Sequence, residues 1–306
     1  MSRAPLVPPI KCQGIKTKLI GDIRRIVEGR SFDRWIEPFC GSCVVALNLQ
    51  PSRALLADTN RHIVTLYKNI QQKRVLPSDV KEYLRAEGEN LSKRGEEYFY
   101  EVRERFNANP SSLDFLFLNR SCFNGVMRFN RSGKFNVPFC RKPKRFSASY
   151  ITKIANQVAA VAKVVSDRDW EFRASGFEET LGMANPGDLV YADPPYAGRH
   201  TDYFNTWTEE NDNTLVRQLS QLAGSFVLST WHSNEFRSNP ALDRWGSERF
   251  QVVTREHFYH VGSSEELRHP MIEALITNFP LADDGRKVAR AEQMMLDIVT
   301  IPSLAV

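Results

Sequence analysis

A chain of 306 residues is long enough for one large domain or two unequal ones. Its 42% apolar and 25% charged content exclude a disordered chain, and no run approaches the roughly 20 apolar residues of a membrane span. The net charge of +5 fits a polyanionic partner without requiring one.

The start, Met1 to Pro9, lacks the apolar stretch of a secretion signal, so the expected compartment is the cytoplasm. Five scattered cysteines (Cys12, Cys40, Cys43, Cys122 and Cys140) read as thiols. Cys40-x-x-Cys43 has no second pair, and no metal site is expected.

In chain order, apolar spacing predicts a helix over Lys18–Val27 and a short strand at Arg34-Trp35-Ile36. Ser42 is placed to cap a helix through Val44, Val45 and Leu47. Ala54–Ala57 is a second strand, ending in Asp58. The character then changes. Helical spacing at Ile63–Ile70 and Tyr98–Phe106 gives way to a Gly-, Asn- and Phe-rich stretch from Asn119 to Phe146, dense in Arg and Lys. Asn130-Arg131-Ser132-Gly133 reads as the turn of a hairpin, and a helix follows over Ile151–Val165. Strands resume at Glu171–Ala174, Leu189–Ala192, Phe226–Ser229 and Ile272–Thr277, with a helix over Leu215–Leu222. The expected fold class is α/β, a doubly wound Rossmann-like sheet with an inserted, mainly helical domain that carries a β-hairpin. The expected division is 1–60 with 168–306 for the sheet domain and 61–167 for the insert.

The most informative word is Asp193-Pro194-Pro195-Tyr196, at the carboxyl end of the apolar run Leu189–Ala192. Open α/β sheets place their ligands at such strand ends. Two prolines stiffen the chain there. A carboxylate, a backbone carbonyl and an aromatic face in one small space suit a flat base with an exocyclic amine. A Pro-rich turn after a strand would look the same in isolation. Glu37-Pro38-Phe39-Cys40-Gly41-Ser42 lies between strand and helix, where Gly41 lets a ligand approach the backbone. Asp58 ends the next strand, where nucleotide folds bind ribose hydroxyls. In this order the signals imply an adenosine-containing cofactor, with Glu37, Phe39, Gly41 and Asp58 as candidate contacts.

A second cluster, Asn119 to Asn130, alternates amide, guanidinium and aromatic groups. Amides pair with adenine, guanidinium with guanine, and Phe123 is shaped to wedge between bases. Arg120, Phe123, Asn124, Arg128 and Asn130 are therefore candidate DNA contacts, although a solvated basic hairpin would share this composition. Arg141-Lys142-x-Lys144-Arg145 suits phosphate, and Lys11 to Lys16 is a Gly-containing basic loop before the first helix.

The order of these motifs, from Lys11-x-x-Gly14-x-Lys16 through EPFCG, Asp58 and NRSCFNGVMRFN…GKFNVPFC to DPPY, resembles the Dam-type (α group) DNA adenine-N6 methyltransferases over residues 10 to about 280. The words VPPIKCQGIKTKL, FLFLNRSCFNG and EHFYHVG look most like modification enzymes of restriction–modification systems. The resemblance implies methyl transfer from S-adenosyl-L-methionine, leaving S-adenosyl-L-homocysteine, to adenine N6 in double-stranded DNA. It also implies a GATATC-like or GATC-containing site. Carried over by position, Cys12, Lys16, Phe39, Asp58, Phe177 and Asp193 hold the cofactor, and Asp193, Pro194 and Tyr196 form the adenine pocket. Lys11, Phe123, Asn124, Arg128, Pro138 and Arg141 meet DNA. The chain departs from the Dam pattern at Cys12, Ile15, Phe123 and Cys140, where that pattern has an aromatic residue, Gly, Tyr and Gly. A cognate restriction endonuclease is a candidate partner, and a monomer or weak dimer is expected. An RNA or cytosine-N4 methyltransferase and a DNA-binding protein without catalysis are the alternatives.

Overall fold

A computed structural model describes residues 4–195, 207–234, 237–245, 249–258 and 270–281. Its strands are β1 (Trp35–Glu37), β2 (Arg53–Asp58), β3 (Asp169–Ala174), β4 (Leu189–Ala192), β5 (Ser225–Asn234), β6 (Arg237–Ser238), β7 (Gln251–Phe258) and β8 (Pro270–Thr277). They form one sheet in the order β3-β2-β1-β4-β5-β8-β7, with β6 pairing β5. The strands from β3 to β5 run parallel, and β8 lies antiparallel between β5 and β7. β1 and β4 are buried along their whole length; β4 reads as an uninterrupted apolar run for that reason, and β1 is apolar up to the buried Glu37 at its end.

The chain builds outward from β1 through β2 to β3, then returns to lay β4 on the other side of β1. This reversal opens a crevice at the carboxyl ends of β1 and β4, the usual ligand position of a doubly wound sheet. Between β2 and β3 lie α3 (Arg61–Gln71), α4 (Pro77–Arg94), α5 (Glu96–Ala108), α6 (Ser112–Ser121) and α7 (Ala148–Val165). Elsewhere stand α1 (Ile20–Val27), α2 (Val44–Leu49), α8 (Phe177–Leu181) and α9 (Glu209–Ser220).

Alternation along the strands separates two apolar layers. One face contributes Trp35, Leu189, Tyr191, Val227 and Leu275, and its cluster continues through α3 into Leu84, Phe99, Phe115 and Val158 of the inserted helices. The other face contributes Ile36, Leu55, Val190, Phe226 and Ile276, covered by α8 and α9. Inside the insert, Arg105 Nη2 donates to Tyr83 at 2.7 Å, Glu87 at 2.8 Å and Asp114 at 2.6 Å, which ties α4, α5 and α6 together.

Two local expectations need correction. Ser42 does not cap α2: Cys43 holds that position with φ 55° and makes no side-chain cap bond, while the Ser42 carbonyl accepts the Tyr67 hydroxyl at 2.5 Å. The helix expected over Leu215–Leu222 starts earlier, at Glu209, because Thr208 caps it by accepting from Asn211 N at 3.3 Å.

Candidate functional site

Asp193 follows directly on β4 and reaches the crevice from below. Its carboxylate lies 3.1 Å from the ammonium of Lys16, which is only 5% exposed. Lys16 also donates to the Gly14 carbonyl at 3.1 Å. Burial outweighs this cation and pushes the Asp193 carboxyl up to about 6. Glu37, at the end of β1, is buried and accepts from the Trp35 indole at 2.8 Å. Burial pushes it up to about 8, and the charge of Asp193 adds to the rise.

Asp58, at the end of β2, accepts from Gly41 N at 2.9 Å and Asn60 N at 2.8 Å. It thereby fixes the loop after β1. Burial raises its carboxyl, and the two backbone donors oppose that rise. Gly41 has φ +48°, and a Cβ there would come within 3.3 Å of Cys12 Sγ. Cys12 thus sits against the loop. Burial, with Asp58 and Asp193 nearby, pushes its thiol up to about 12.

Phe39, Phe177 and Trp207 form an aromatic group at the same end of the sheet. Phe39 stacks on Phe177 at 5.5 Å and meets Trp207 edge-on at 5.5 Å, and Phe177 lies 5.3 Å from Trp207. Phe177 is 5% exposed, whereas Phe39 and Trp207 are partly open.

The hairpin of the insert presents a second surface. Phe129 bridges Phe135 and Cys122 bridges Phe139 in antiparallel pairs. Met127, Phe129, Phe135, Val137 and Phe139 point inward. The alternate positions Arg128, Asn130, Asn136 and Pro138 are left partly or fully exposed. At its base, Phe123 is 54% exposed, and its backbone N donates to the Pro138 carbonyl at 2.9 Å. Asn124 and Arg141 are exposed and adopt positive φ values of 52° and 57°. Lys11 lies alongside: its backbone is held by Asn119 through bonds of 2.7 Å and 2.9 Å, and its stem packs on Gly125, where a Cβ would come within 2.4 Å of it.

A strand-end carboxylate beside an aromatic crevice, next to a basic hairpin, is the arrangement a base-modifying enzyme needs. Residues 13–261 match the model of the D12 class N6 adenine-specific DNA methyltransferases. The chain belongs to this family. It is 32% identical to the DNA adenine methylase of Serratia marcescens over 74% of this chain and 83% of that protein. It is also 32% identical to the Retron Ec67 DNA adenine methylase of Escherichia coli over 69% of this chain and 71% of that one. The Type II methyltransferase M.FokI of Planomicrobium okeanokoites is 27% identical over 89% of this chain, which spans 42% of that longer protein.

As a D12-class methyltransferase the chain transfers a methyl group from a donor to adenine N6 in DNA. The structure gathers Cys12, Lys16, Glu37, Gly41, Asp58 and Asp193 around the crevice, with Phe39 and Phe177 beside it. Pro194 is described and Tyr196 lies outside the described residues. It places Lys11, Phe123, Asn124, Arg128, Pro138 and Arg141 on or beside the hairpin surface.

Arg120, expected to face DNA, does not. It is 5% exposed and donates to the Pro9 carbonyl at 2.5 Å and to Gln157 at 2.7 Å, so it clamps the N-terminal segment onto the insert. Asn130 is exposed, but its side-chain oxygen accepts from Ser132 N and Lys134 N, both at 3.0 Å, so it serves the turn. Sequence reasoning missed Trp207, Ser229 and Glu273. Trp207 had one available signal, an aromatic residue immediately before a helix cap. The other two emerge only from strand register.

Proposed function

We propose that the methyl donor is S-adenosyl-L-methionine, released as S-adenosyl-L-homocysteine, and that the acceptor is an adenine turned out of duplex DNA. The residues fit such a donor. Phe39 and Trp207 offer partly open rings beside Phe177 for a nucleobase. Asp58 ends β2 where a ribose is bound in related sheets, and Gly41 brings the loop backbone close. When bound, the donor supplies a methyl carbon on a positively charged sulfur, and the carboxylates of Asp58 and Asp193 are the complement to that charge.

Asp193 accepts one N6 proton in a hydrogen bond, and the Pro194 carbonyl accepts the other. Two acceptors on one amine draw its lone pair out of conjugation with the ring and aim it. Alignment and electrostatics then supply most of the acceleration. Tyr196 stacks on the base. No cysteine is asked to act as a nucleophile: burial holds Cys12 and Cys122 as thiols, each pushed up to about 12.

Turning a base out of the stack costs a few kcal/mol. Phe123, at 54% the most exposed large apolar side chain among the described residues, enters the vacated space. Residues 61–167 form the target-recognition domain. Lys11, Asn124, Arg128, Pro138 and Arg141 line its DNA surface, and a groove of about 580 Å3 lined by Ser92, Lys142, Pro143, Lys144 and Arg145 follows the phosphates. The site is GATATC-like or contains GATC. The enzyme acts in the cytoplasm, on the nucleoid, as a monomer or weak dimer. It acts alone or opposite a restriction endonuclease of the same specificity.

The observation that carries this reading is the placement of Asp193 at the carboxyl end of β4, beside the aromatic crevice. Sequencing DNA from cells that express the chain, with detection of methylated adenine, tests it. Marks confined to one GATATC-like or GATC-containing site support the reading, and unmarked DNA would overturn it. Calorimetry with S-adenosyl-L-methionine tests the donor separately.

A further inference from the structure

The sheet face that carries Asp193 is apolar along most of its length and polar at one end. Trp35, Leu189, Tyr191, Val227 and Leu275 form one layer across β1, β4, β5 and β8. Two residues from Trp35 stands Glu37, and two from Val227 stands Ser229. Two from Leu275 stands Glu273. Side chains two apart in a strand share a face, so these three lie on the Asp193 side of the sheet. Register brings them together. Ala192 pairs with Leu228, so Asp193 comes next to Ser229. Ser229 pairs with Leu275 and Trp231 with Glu273, so Glu273 is the diagonal neighbour of Ser229.

All of these groups are shut away from solvent: Ser229 is 0% exposed, Glu273 1% and Tyr191 2%. The Ser229 hydroxyl acts on both the Asp193 carboxylate and the Tyr191 hydroxyl. Core positions on neighbouring strands are filled by Val, Leu and Trp, so a hydroxyl at 229 and a carboxyl at 273 stand out in an apolar layer. These polar groups gather at the end of the sheet where Asp193 stands.

We propose that Ser229 and Glu273 are positioning residues for methyl transfer, forming with Tyr191 a buried polar wall that holds Asp193 from behind. The proposal rests on the role given to Asp193 above. As N6 bonds to the methyl carbon, the carbon–sulfur bond breaks and its electron pair stays on sulfur. N6 then carries one proton too many. The carboxylate already hydrogen-bonded to it takes that proton, which requires Asp193 to be ionised beforehand and still basic.

The groups facing Asp193 set this balance. Lys16 and Cys12 come from the segment before α1, Glu37 from β1, Tyr191 from its own strand and Glu273 from β8. Burial and, after it, Glu273 favour the acid; Lys16 and, after it, the Ser229 hydroxyl favour the carboxylate. Glu273 thus adds to the basicity that burial confers on Asp193, and Ser229 helps Lys16 to keep it ionised.

The test is the pH profile of single-turnover methylation in Glu273→Gln and Ser229→Ala, with DNA and S-adenosyl-L-methionine affinities measured alongside. Glu273→Gln removes a like charge and moves the acid limb about one pH unit down; Ser229→Ala moves it up by a similar or smaller amount. Titration of the Asp193 carboxyl by 13C NMR in the same proteins shows the same displacements without turnover. Circular dichroism checks that each variant is folded, and Glu273→Gln keeps the side-chain volume. Superimposable profiles and titrations, with Asp193→Ala inactive, overturn this proposal alone. An active Asp193→Ala overturns the reading beneath it.

Discussion

Lys16 Nζ lies 3.1 Å from Asp193 Oδ1, so the acceptor assigned to the adenine amine is shared with a buried cation of the chain itself. The ammonium opposes the effect of burial and keeps the carboxyl near 6. Lys16→Met removes that opposition. The carboxyl then rises, and the acid limb of the rate profile moves up by about one pH unit. Turnover falls several-fold just below neutrality and recovers in alkaline buffer. A profile unchanged from wild type would mean that the pair does not govern Asp193 in solution.

Phe123 and Phe129 separate two roles that composition alone confuses. Phe123 is 54% exposed and Phe129 is 7% exposed, the latter stacked on His62 at 5.1 Å. Phe123→Ala leaves the melting temperature within a degree or two and lowers kcat/KM on duplex DNA by about tenfold or more, the scale of a single base–aromatic stack. A mismatch at the target adenine restores part of the activity, because less unstacking remains to be done. Phe129→Ala instead costs about 3–5 kcal/mol of stability. Comparing thermal melts with duplex and mismatched substrates checks both.

Arg120 and the loop at Lys142 make a similar contrast. The Arg120 guanidinium is spent on Pro9 and Gln157. Arg120→Met therefore lowers stability and leaves the salt dependence of DNA binding unchanged. The double variant Lys142→Gln, Lys144→Gln removes two exposed cations at no cost in stability. It flattens the plot of log affinity against log salt by about 0.9 for each phosphate that is no longer neutralised. Titrations at several salt concentrations distinguish the two.

The sheet and its catalytic end were legible because they are local. Leu189–Ala192 is a short apolar run ending in a word that can neither coil nor pair, and β4 followed by Asp193 is where it stands. The hairpin turn at 130–133 was legible for the same reason. Arg120 was misplaced because its partners are 111 and 37 residues away, and nothing nearby in the chain announces them. β7 escaped notice because Gln251–Phe258 carries polar residues on an outer strand and owes its structure to β8. Ser229 and Glu273 read as ordinary strand residues until register lays one beside Asp193 and the other diagonal to Ser229. The Ser42 cap failed because the Gly41–Cys43 turn is shaped by Asp58, 17 residues from Gly41.

Glu37 makes a prediction about stability and pH. Its folded-state value is about 8 against an ordinary 4.5, so the folded chain binds this proton more tightly than the unfolded chain. Its contribution is fully present below the unfolded value and is lost as pH rises through about 8. The loss is on the order of a few kcal/mol. Glu37→Gln keeps an acceptor for the Trp35 indole and removes the titration. Urea midpoints at several pH values therefore decline toward alkaline pH in the wild type and decline less in the variant. Parallel curves would show that Glu37 is ionised in the folded state.

The most direct test is a transfer assay. The purified chain is incubated with methyl-labelled S-adenosyl-L-methionine and duplex DNA, and the DNA is digested to nucleosides. Label is predicted on N6-methyl-2′-deoxyadenosine alone with the wild type and on nothing with Asp193→Ala. Label on cytosine, or undiminished label from the folded Asp193→Ala protein, would contradict the account.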